Sequence, residues 1–167
     1  MQKTIARSIA VFFGAGLLKP APGTWGSVAA VFTGWGLHSL GGTNLLAFGV
    51  VASFLIGWWA TAVSTRGQDD HDPSEIVIDE VAGQWLALLP VSIGASHAGV
   101  AFGALWPGIL VAFVAFRLFD ITKPGPVGWA DRRDDSLGVM LDDVIAGVLA
   151  AIAVMIGAAI SHGIPAL

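Results

Sequence analysis

The sequence contains no cysteine and few charged residues, which make up 12% of its 167 positions. Without cysteine, the chain can form neither a disulfide framework nor a thiolate metal site. Its net charge of −4 offers no basic patch of the kind that nucleic-acid-binding proteins use, so we expect no nucleic acid partner. Soluble domains carry about 25% charged residues, so the scarcity of charge also argues against a soluble domain.

Apolar residues make up 55% of the chain and the mean hydropathy is +0.77. Long apolar runs of this kind predict membrane spans, each of which needs about 20 residues. We expect one membrane-embedded domain over residues 1–167, an all-α helical integral membrane bundle of about five spans. The predicted spans are 25–37, 45–63, 81–93 (continuing toward 96), 100–116 and 144–160. Residues 5–18 are too short for a confident span and predict an interfacial or re-entrant helix, which we expect to be retained rather than cleaved.

The charged residues are sorted along the chain into three groups, at 3–19, 66–80 and 117–143. The alternate connections "HSLGGTN" and "GASHAG" carry no Asp, Glu, Lys or Arg. With five spans, all three charged groups lie on the same side, and the positive-inside rule makes that side cytoplasmic. The sequence therefore predicts a multi-pass protein with its N-terminus inside and a charged cytoplasmic face.

Two acidic pairs stand at the starts of predicted spans, in "DEVAG" at 79–83 and "DDVIAG" at 142–147. Acidic residues near a helix N-terminus also stabilise the helix dipole, which is the simpler interpretation. Adjacent helical residues point about 100° apart, however, so one member of each pair must face the bundle. Carboxylates that converge there repel each other unless a proton or cation holds them, and oxygen ligands suit Mg²⁺, Mn²⁺ or Ca²⁺. The glycine that ends each motif predicts close helix approach.

Basic residues of the third charged group follow a helical spacing in "AFRLFDITKPGP" at 115–126. Arg117, Asp120 and Lys123 recur at every third residue and therefore share one helix face. Arg and Lys at these positions could bind phosphate oxygens, with Asp120 steadying a cation or ligating a metal. The alternative is that both cations anchor the span end to lipid headgroups. Pro124 and Pro126 predict the end of this helix.

The segment "KPAPGTWGS" at 19–27 predicts a rigid turn before the first span. Thr24 to Ser27 are candidates for capping that span. The same amides and hydroxyls at a helix N-terminus could bind an anion instead.

The segment "DDHDPSEIVIDE" at 69–80 carries His71, the one histidine on the charged side. Asp72, Glu75 and Asp79 are spaced for one helix face, with Pro73 suited to the first turn. Asp72 could equally be the N-cap of that helix. We treat His71 as a candidate acid or base.

Four motifs in order, "PGTWGS", "HDPSEIVIDEVAGQW", "FRLFDITKPGPVGWADR" and "GVMLDDVIAG", resemble the phosphatidylglycerophosphatase A family over roughly residues 13–149. The resemblance implies an all-helical Mg²⁺-dependent lipid phosphatase of the bacterial cytoplasmic membrane. Such an enzyme converts phosphatidylglycerol phosphate to phosphatidylglycerol and inorganic phosphate, the last step of phosphatidylglycerol synthesis. The family's acidic motif positions fall on Asp79, Glu80, Asp120, Asp131, Asp142 and Asp143, and its basic ones on Arg117 and Lys123.

Together these observations give a set of expected roles at a site on the cytoplasmic side. We assign Mg²⁺ to Asp79, Glu80, Asp142 and Asp143; phosphate binding to Arg117, Lys123, Thr24 and Ser27; and catalysis to Asp120, Asp131 and His71. Asp120 is either a further ligand or the group that orients Arg117, and Asp131 or His71 is the acid or base. The nucleophile is either a water activated by the cation or an aspartate, and the sequence leaves both open.

Two other classes share part of the pattern. A Mg²⁺-dependent headgroup transferase also uses clustered aspartates at span ends, but its longer Asp-Gly-Ala-Arg type motif is missing here. A cation transporter needs carboxylates near the bilayer centre and a path to both sides. The uncharged outer connections do not support such a path. The sequence leaves the oligomeric state open.

Overall fold

A computed structural model describes residues 1–67, 73–133 and 135–163. Within these ranges the regular structure is helical and contains no strand, which confirms the all-α prediction. The elements in chain order are α1 (Gln2–Ala10), a 3₁₀ turn (Phe12–Leu17), α2 (Pro22–Ser64), α3 (Ile78–Ala98), a 3₁₀ turn (Phe102–Leu105), α4 (Trp106–Thr122), α5 (Pro126–Asp131) and α6 (Ser136–Gly163).

The N-terminal segment predicted as one interfacial or re-entrant helix consists of a short helix followed by a tight turn. The nine residues of α1 extend only about 14 Å, against the roughly 30 Å of a bilayer core. Phe13 and Gly14 then adopt left-handed conformations that break the helix. Ala6 and Ala10 are fully buried, and the carbonyl of Ala10 accepts a hydrogen bond from Val77 N at 2.9 Å. This contact attaches α1 to the start of α3.

Helix α2 is a helical hairpin whose two arms, 22–40 and 43–64, meet at Gly41 and Gly42. Gly42 has φ 63° and ψ −156°, a conformation that residues with a side chain rarely adopt. The indole of Trp85 in α3 lies against both arms, since a Cβ at Gly34 would come within 2.9 Å of its ring and one at Gly49 within 3.2 Å. Its Nε1 donates a hydrogen bond to Ala30 O at 2.8 Å. Helix α3 therefore packs where the arms face each other.

The far end of this hairpin is tied to α3 by hydroxyl and imidazole groups. Ser92 Oγ lies 2.7 Å from His38 Nδ1 and 2.9 Å from Thr43 Oγ1. Thr43 Oγ1 also lies 3.1 Å from Ser96 Oγ. Because His38 and Thr43 stand on either side of Gly41 and Gly42, these contacts bring both arms to one point on α3.

Helices α3 and α6 cross in backbone contact at their glycines. A Cβ at Gly83 would collide with the backbone of Asp143, and one at Gly147 would lie 3.0 Å from Gly83 Cα. The close helix approach predicted from these glycines is confirmed, and the structure shows that the two motifs approach each other. Since Glu80 and Asp143 lie within about one turn of this crossing, it also sets how near the two acidic pairs come.

Three helical segments of the described chain are long and apolar enough to cross a membrane: Pro22–Ser64, Phe102–Thr122 and Ser136–Ser161. The first of them holds the two arms of α2, which correspond to the first two predicted spans. Their outer faces carry exposed large apolar side chains, as expected of surfaces that contact lipid. The architecture fits a membrane protein. The count of five spans and the cytoplasmic side stay predictions.

Two local predictions are wrong. Thr24 and Ser27 do not cap the first span, because α2 already begins at Pro22 and its N-cap, Ala21, makes no side-chain cap bond. Proline at the first helical position starts the helix earlier than the sequence pattern indicated. The helix predicted from Pro73 onward begins only at Ile78, so Glu75 precedes α3 and does not share a helix face with Asp79. Asp72 lies outside the described residues.

Candidate active site

A cavity of about 300 Å³ opens at the end of the bundle where α2 and α3 begin, α4 ends and the second turn of α6 lies. Its described wall consists of Ala21, Pro22, Gly23, Thr24, Ser74, Ile76, Asp79, Glu80, Arg117, Asp120, Ile121, Lys123, Asp142 and Asp143. Polar and charged side chains make up most of this wall. The cavity therefore gathers both acidic pairs and the basic helix face that the sequence singled out.

Three carboxylates in this wall form a compact group. Asp79, Glu80 and Asp143 each offer an oxygen, and these three oxygens lie within 4.8 Å of one another. Ligands on opposite sides of a Mg²⁺ ion are about 4 Å apart, so small side-chain adjustments bring this group to binding distance. Glu80 Oε2 is also buried without a hydrogen-bond partner among the described residues. An oxygen-only set with an unsatisfied buried carboxylate oxygen fits a hard divalent cation.

The fourth predicted ligand, Asp142, lies in the cavity wall but faces a cation of the protein itself. Its Oδ2 lies 2.9 Å from Lys123 Nζ, and the same ammonium also contacts Asp131. Lys123 thus joins the end of α4 to α5 and α6. Burial alone would lower the pKa of Lys123, but its hydrogen bonds to Asp131 and Asp142 outweigh this and raise that pKa above its ordinary value.

Arg117 occupies the side of the cavity formed by α4. Its Nη1 lies 2.5 Å from Asp120 Oδ2 and 3.8 Å from Glu80 Oε1. The same nitrogen donates a long hydrogen bond of 3.4 Å to Ser27 Oγ. Ser27 is fully buried and in turn donates to Gly23 O at 2.9 Å. The guanidinium is therefore held between α2, α3 and its own helix.

The N-terminus of α2 reaches the cavity because Gly23 has no side chain. A Cβ at this position would collide with Glu80 Oε1 and lie 3.1 Å from Arg117 Nη1. Residues 21–24 line the cavity and belong to the N-cap and first turn of α2, where backbone N–H groups lack helical partners. Such a terminus, next to Arg117, suits the binding of an anion.

The structure brings together most of the predicted site residues. The cavity wall includes Asp79, Glu80, Asp142, Asp143, Arg117, Asp120, Lys123 and Thr24. Ser27 lies behind Arg117, and Asp131 is reached through Lys123, so neither belongs to the wall. His71 lies outside the described residues. The wall also contains four residues that the sequence motifs did not indicate as site residues: Gly23, Ser74, Ile76 and Ile121. Of these, only Gly23 could have been found from the sequence, as the glycine between Pro22 and Thr24.

Comparison with known proteins places this chain in a family. The chain matches the family described as Phosphatidylglycerophosphatase A over residues 8–158. A relative named phosphatidylglycerophosphatase A from Haemophilus influenzae is 37% identical over 147 residues, covering 87% of this chain and 84% of the relative. One of the same name from Escherichia coli is 33% identical over 144 residues, covering 86% and 77%. A protein from Bacteroides thetaiotaomicron, provisionally named a phosphatidylinositol-3-phosphatase, is 34% identical over 140 residues, covering 81% and 82%.

No solved structure matches the chain. The fold and the cavity define an all-helical protein with membrane-type helices and a charged cavity that combines a cation-binding group with an anion-binding face. The family match and the two relatives of the same name, at 37% and 33% identity, are more specific: the chain belongs to the phosphatidylglycerophosphatase A family. The resemblance carried by the four sequence motifs is confirmed. Proteins of that name are phosphatases, that is, phosphoric monoester hydrolases.

Proposed function

We propose that this protein hydrolyses the terminal phosphate of phosphatidylglycerol phosphate with the help of Mg²⁺, and so produces phosphatidylglycerol for the bacterial cytoplasmic membrane. The observation that carries the proposal is one cavity in which three convergent carboxylates face Arg117 and the N-terminus of α2. A cation on one side of a phosphomonoester and hydrogen-bond donors on the other can stabilise the charge of the phosphoryl group, and the residues of this cavity are suited to supply both.

Asp79, Glu80 and Asp143 would hold the Mg²⁺ ion, which would neutralise charge on the phosphoryl oxygens and thereby lower the barrier to phosphoryl transfer. Without a cation, three carboxylates at this distance repel one another in a poorly solvated site. A bound cation would relieve this repulsion, so the close grouping supports the proposed Mg²⁺ site.

Arg117 and the first turn of α2 would bind the phosphoryl oxygens that do not face the carboxylates. Asp120 and Ser27 fix the guanidinium, so that its planar donors keep one orientation when substrate enters. The backbone N–H groups of Gly23 and Thr24 add donors that need no side-chain reorganisation. These roles agree with the predicted phosphate binding by Arg117 and Thr24. Ser27 is buried, so it would position Arg117 and not contact the phosphate itself.

Lys123 would have a different role from the phosphate contact predicted for it. Its ammonium already pairs with Asp142 and Asp131, which leaves one donor for substrate. It compensates Asp142 next to the carboxylate group and therefore limits the negative charge around the phosphate. Protonation of the leaving alcohol stays assigned to Asp131 or His71.

The direct test is the release of inorganic phosphate from phosphatidylglycerol phosphate by detergent-purified protein, with Mg²⁺ and with a chelator. We expect release that depends on the cation and that is lost in Asp79→Asn. A substrate panel with phosphatidylinositol 3-phosphate and phosphatidic acid examines the headgroup, given the name of the Bacteroides relative. If folded protein releases no phosphate in the presence of Mg²⁺, the proposal is refuted and the transferase and transporter hypotheses are favoured.

A further inference from the structure

An apolar stripe runs along the outward face of α4. It consists of Leu110, Val114, Leu118 and Ile121, whose exposed fractions are 52%, 54%, 56% and 67%. Their spacing of four, four and three residues places them on one side of the helix. No described part of the protein covers this stripe.

The stripe continues into the cavity through Ile121, which belongs to both. Among the described residues of the cavity wall, Ile121 is the large apolar side chain that is exposed, whereas Ile76 is 5% exposed. Ile121 follows Arg117 by one helical turn, so the guanidinium and the end of the stripe are neighbours on α4. A molecule with a phosphate at Arg117 can therefore continue onto an apolar surface.

The length of the stripe matches the membrane geometry that a lipid requires. From Ile121 back to Leu110 the helix rises about 16 Å. Half of a bilayer core is about 15 Å thick. With the cavity at the membrane surface, a stripe of this length would reach across one leaflet to the bilayer centre. Ile152 and Ile156 on α6 are exposed as well, but neither belongs to the described cavity wall.

We propose that the stripe Leu110–Val114–Leu118–Ile121 is the surface on which an acyl chain of the substrate lies while its phosphomonoester occupies the cavity. This inference rests on the proposed function and adds the element that recognises the lipid part. Acyl chains are already in an apolar medium, so the contact gains little hydrophobic energy. Its effect is orientation: a chain aligned with α4 directs the headgroup toward Arg117.

Photolabelling tests where the chain lies without requiring turnover. The full-length protein is placed in phosphatidylcholine vesicles that contain phosphatidylglycerol phosphate with a diazirine in one acyl chain. A phosphatidylcholine probe with the same acyl chain is the matched control. For each probe, the labelling of residues 106–122 is divided by the labelling of residues 136–163. We expect this ratio to be about threefold higher for the phosphomonoester probe than for the control probe, and we expect unlabelled substrate to remove the difference.

Equal distributions for the two probes would mean that only bulk lipid covers α4, and would overturn the proposal. Weak labelling of α4 by both probes would indicate that a second copy of the chain covers the stripe, and would overturn it as well. A paired activity test uses Val114→Trp, which obstructs the stripe, and Ile156→Trp, which places the same residue on α6. We expect about a fivefold loss of kcat/KM for the first and less than twofold for the second.

The two proposals fail in different ways. If wild-type protein releases no phosphate, the proposed phosphatase function is refuted whatever the labelling shows. If it releases phosphate but Val114→Trp behaves like Ile156→Trp, the phosphatase function stands and the acyl-chain surface is refuted.

Discussion

Substituting Gly147 by alanine tests whether the glycine crossing of α3 and α6 sets the geometry of the carboxylate group. A Cβ at Gly147 would lie 3.0 Å from both Cα and C of Gly83, and closer still to its carbonyl oxygen. Carbon atoms in contact are ordinarily about 3.5–4.0 Å apart, so the two backbones must separate by about 0.5–1 Å. The atoms of Gly83 in this contact belong to the backbone, so they cannot rotate away from a new methyl group as a flexible side chain can.

The expected cost combines packing and cation binding. Overpacking of this kind costs about 1–3 kcal/mol of stability, partly offset by the roughly 1 kcal/mol by which alanine favours a helix over glycine. Asp143 precedes Gly147 by one turn and Glu80 lies three residues before Gly83, so the separation moves ligands from different helices apart. Misplaced ligands lower metal affinity by roughly 10–100-fold. We expect the Mg²⁺ concentration for half-maximal phosphate release to rise about tenfold or more.

Gly157→Ala is the matched control on the same helix, because a Cβ there meets nothing within 4 Å. Thermal unfolding in detergent and phosphate release over a Mg²⁺ titration are measured for both variants and the wild type. Gly157→Ala should keep the Mg²⁺ dependence of the wild type and should unfold at the same or a slightly higher temperature, because alanine favours the helix and meets no steric obstacle there. If the two variants are indistinguishable, the crossing does not control the site and the reasoning is refuted.

Three further predictions follow from single contacts. Asp143→Asn should weaken Mg²⁺ activation by roughly 10–100-fold without unfolding the protein, and an unchanged titration would exclude Asp143 as a ligand. Lys123→Met should lower stability by about 1–2 kcal/mol, because it removes the ion pair between Lys123 and Asp142. The loss is smaller than for a fully buried ion pair because Lys123 is partly exposed. Because the pKa of Lys123 in the folded state is raised, this difference should stay constant from pH 7 to about 10 and shrink only above its ordinary value of 10.5, which unfolding scans at several pH values would check. Asp135→Ala should cost about 1 kcal/mol at pH 7, because Asp135 Oδ1 accepts a 2.6 Å hydrogen bond from Gly138 N at the start of α6. Arg133 and this bond lower the pKa of Asp135, so the loss should persist down to its ordinary value of 3.8 and fade only below it; a difference that fades near pH 6 would contradict this.

The sequence predicted the site more completely than it predicted the path of the chain. Acidic residues in an apolar chain are costly, so their positions were informative by themselves. Asp79 and Glu80 do lie in the first turn of α3, and the prolines after Lys123 do end α4 at Thr122. The helical spacing of Arg117 and Asp120 was therefore enough to predict that both residues line one cavity.

What the sequence could not predict depends on tertiary contacts. The pairing of Lys123 with Asp142 depends on the left-handed conformation of Lys123, which turns the chain toward α6 after α4 has ended. Helical spacing alone placed Lys123 beside Arg117 as a phosphate ligand. The burial of Ser27 likewise depends on its tertiary neighbours, for which the segment itself carries no signal.

The late start of α3 has a similar origin. Pro73 suits a first helical turn, and local preference favoured a helix from that point. In the structure Glu75 instead pairs with Arg7 of α1 at 2.7 Å, and Val77 bonds to Ala10. These contacts with the N-terminal helix hold residues 75–77 in a non-helical conformation. A distant segment thus overrides the local preference.

The position of Trp85 between the two arms of α2 has a consequence for the order in which the molecule assembles. The arms emerge from the ribosome first, yet the ring that fills the space beside Gly34 and Gly49 belongs to the helix that follows. The hairpin has the length and composition to enter a membrane before α3 is made, but its final packing must wait for α3. Truncation before Trp85 should therefore leave two inserted helices that cross-link poorly to each other, although every residue of the hairpin is present.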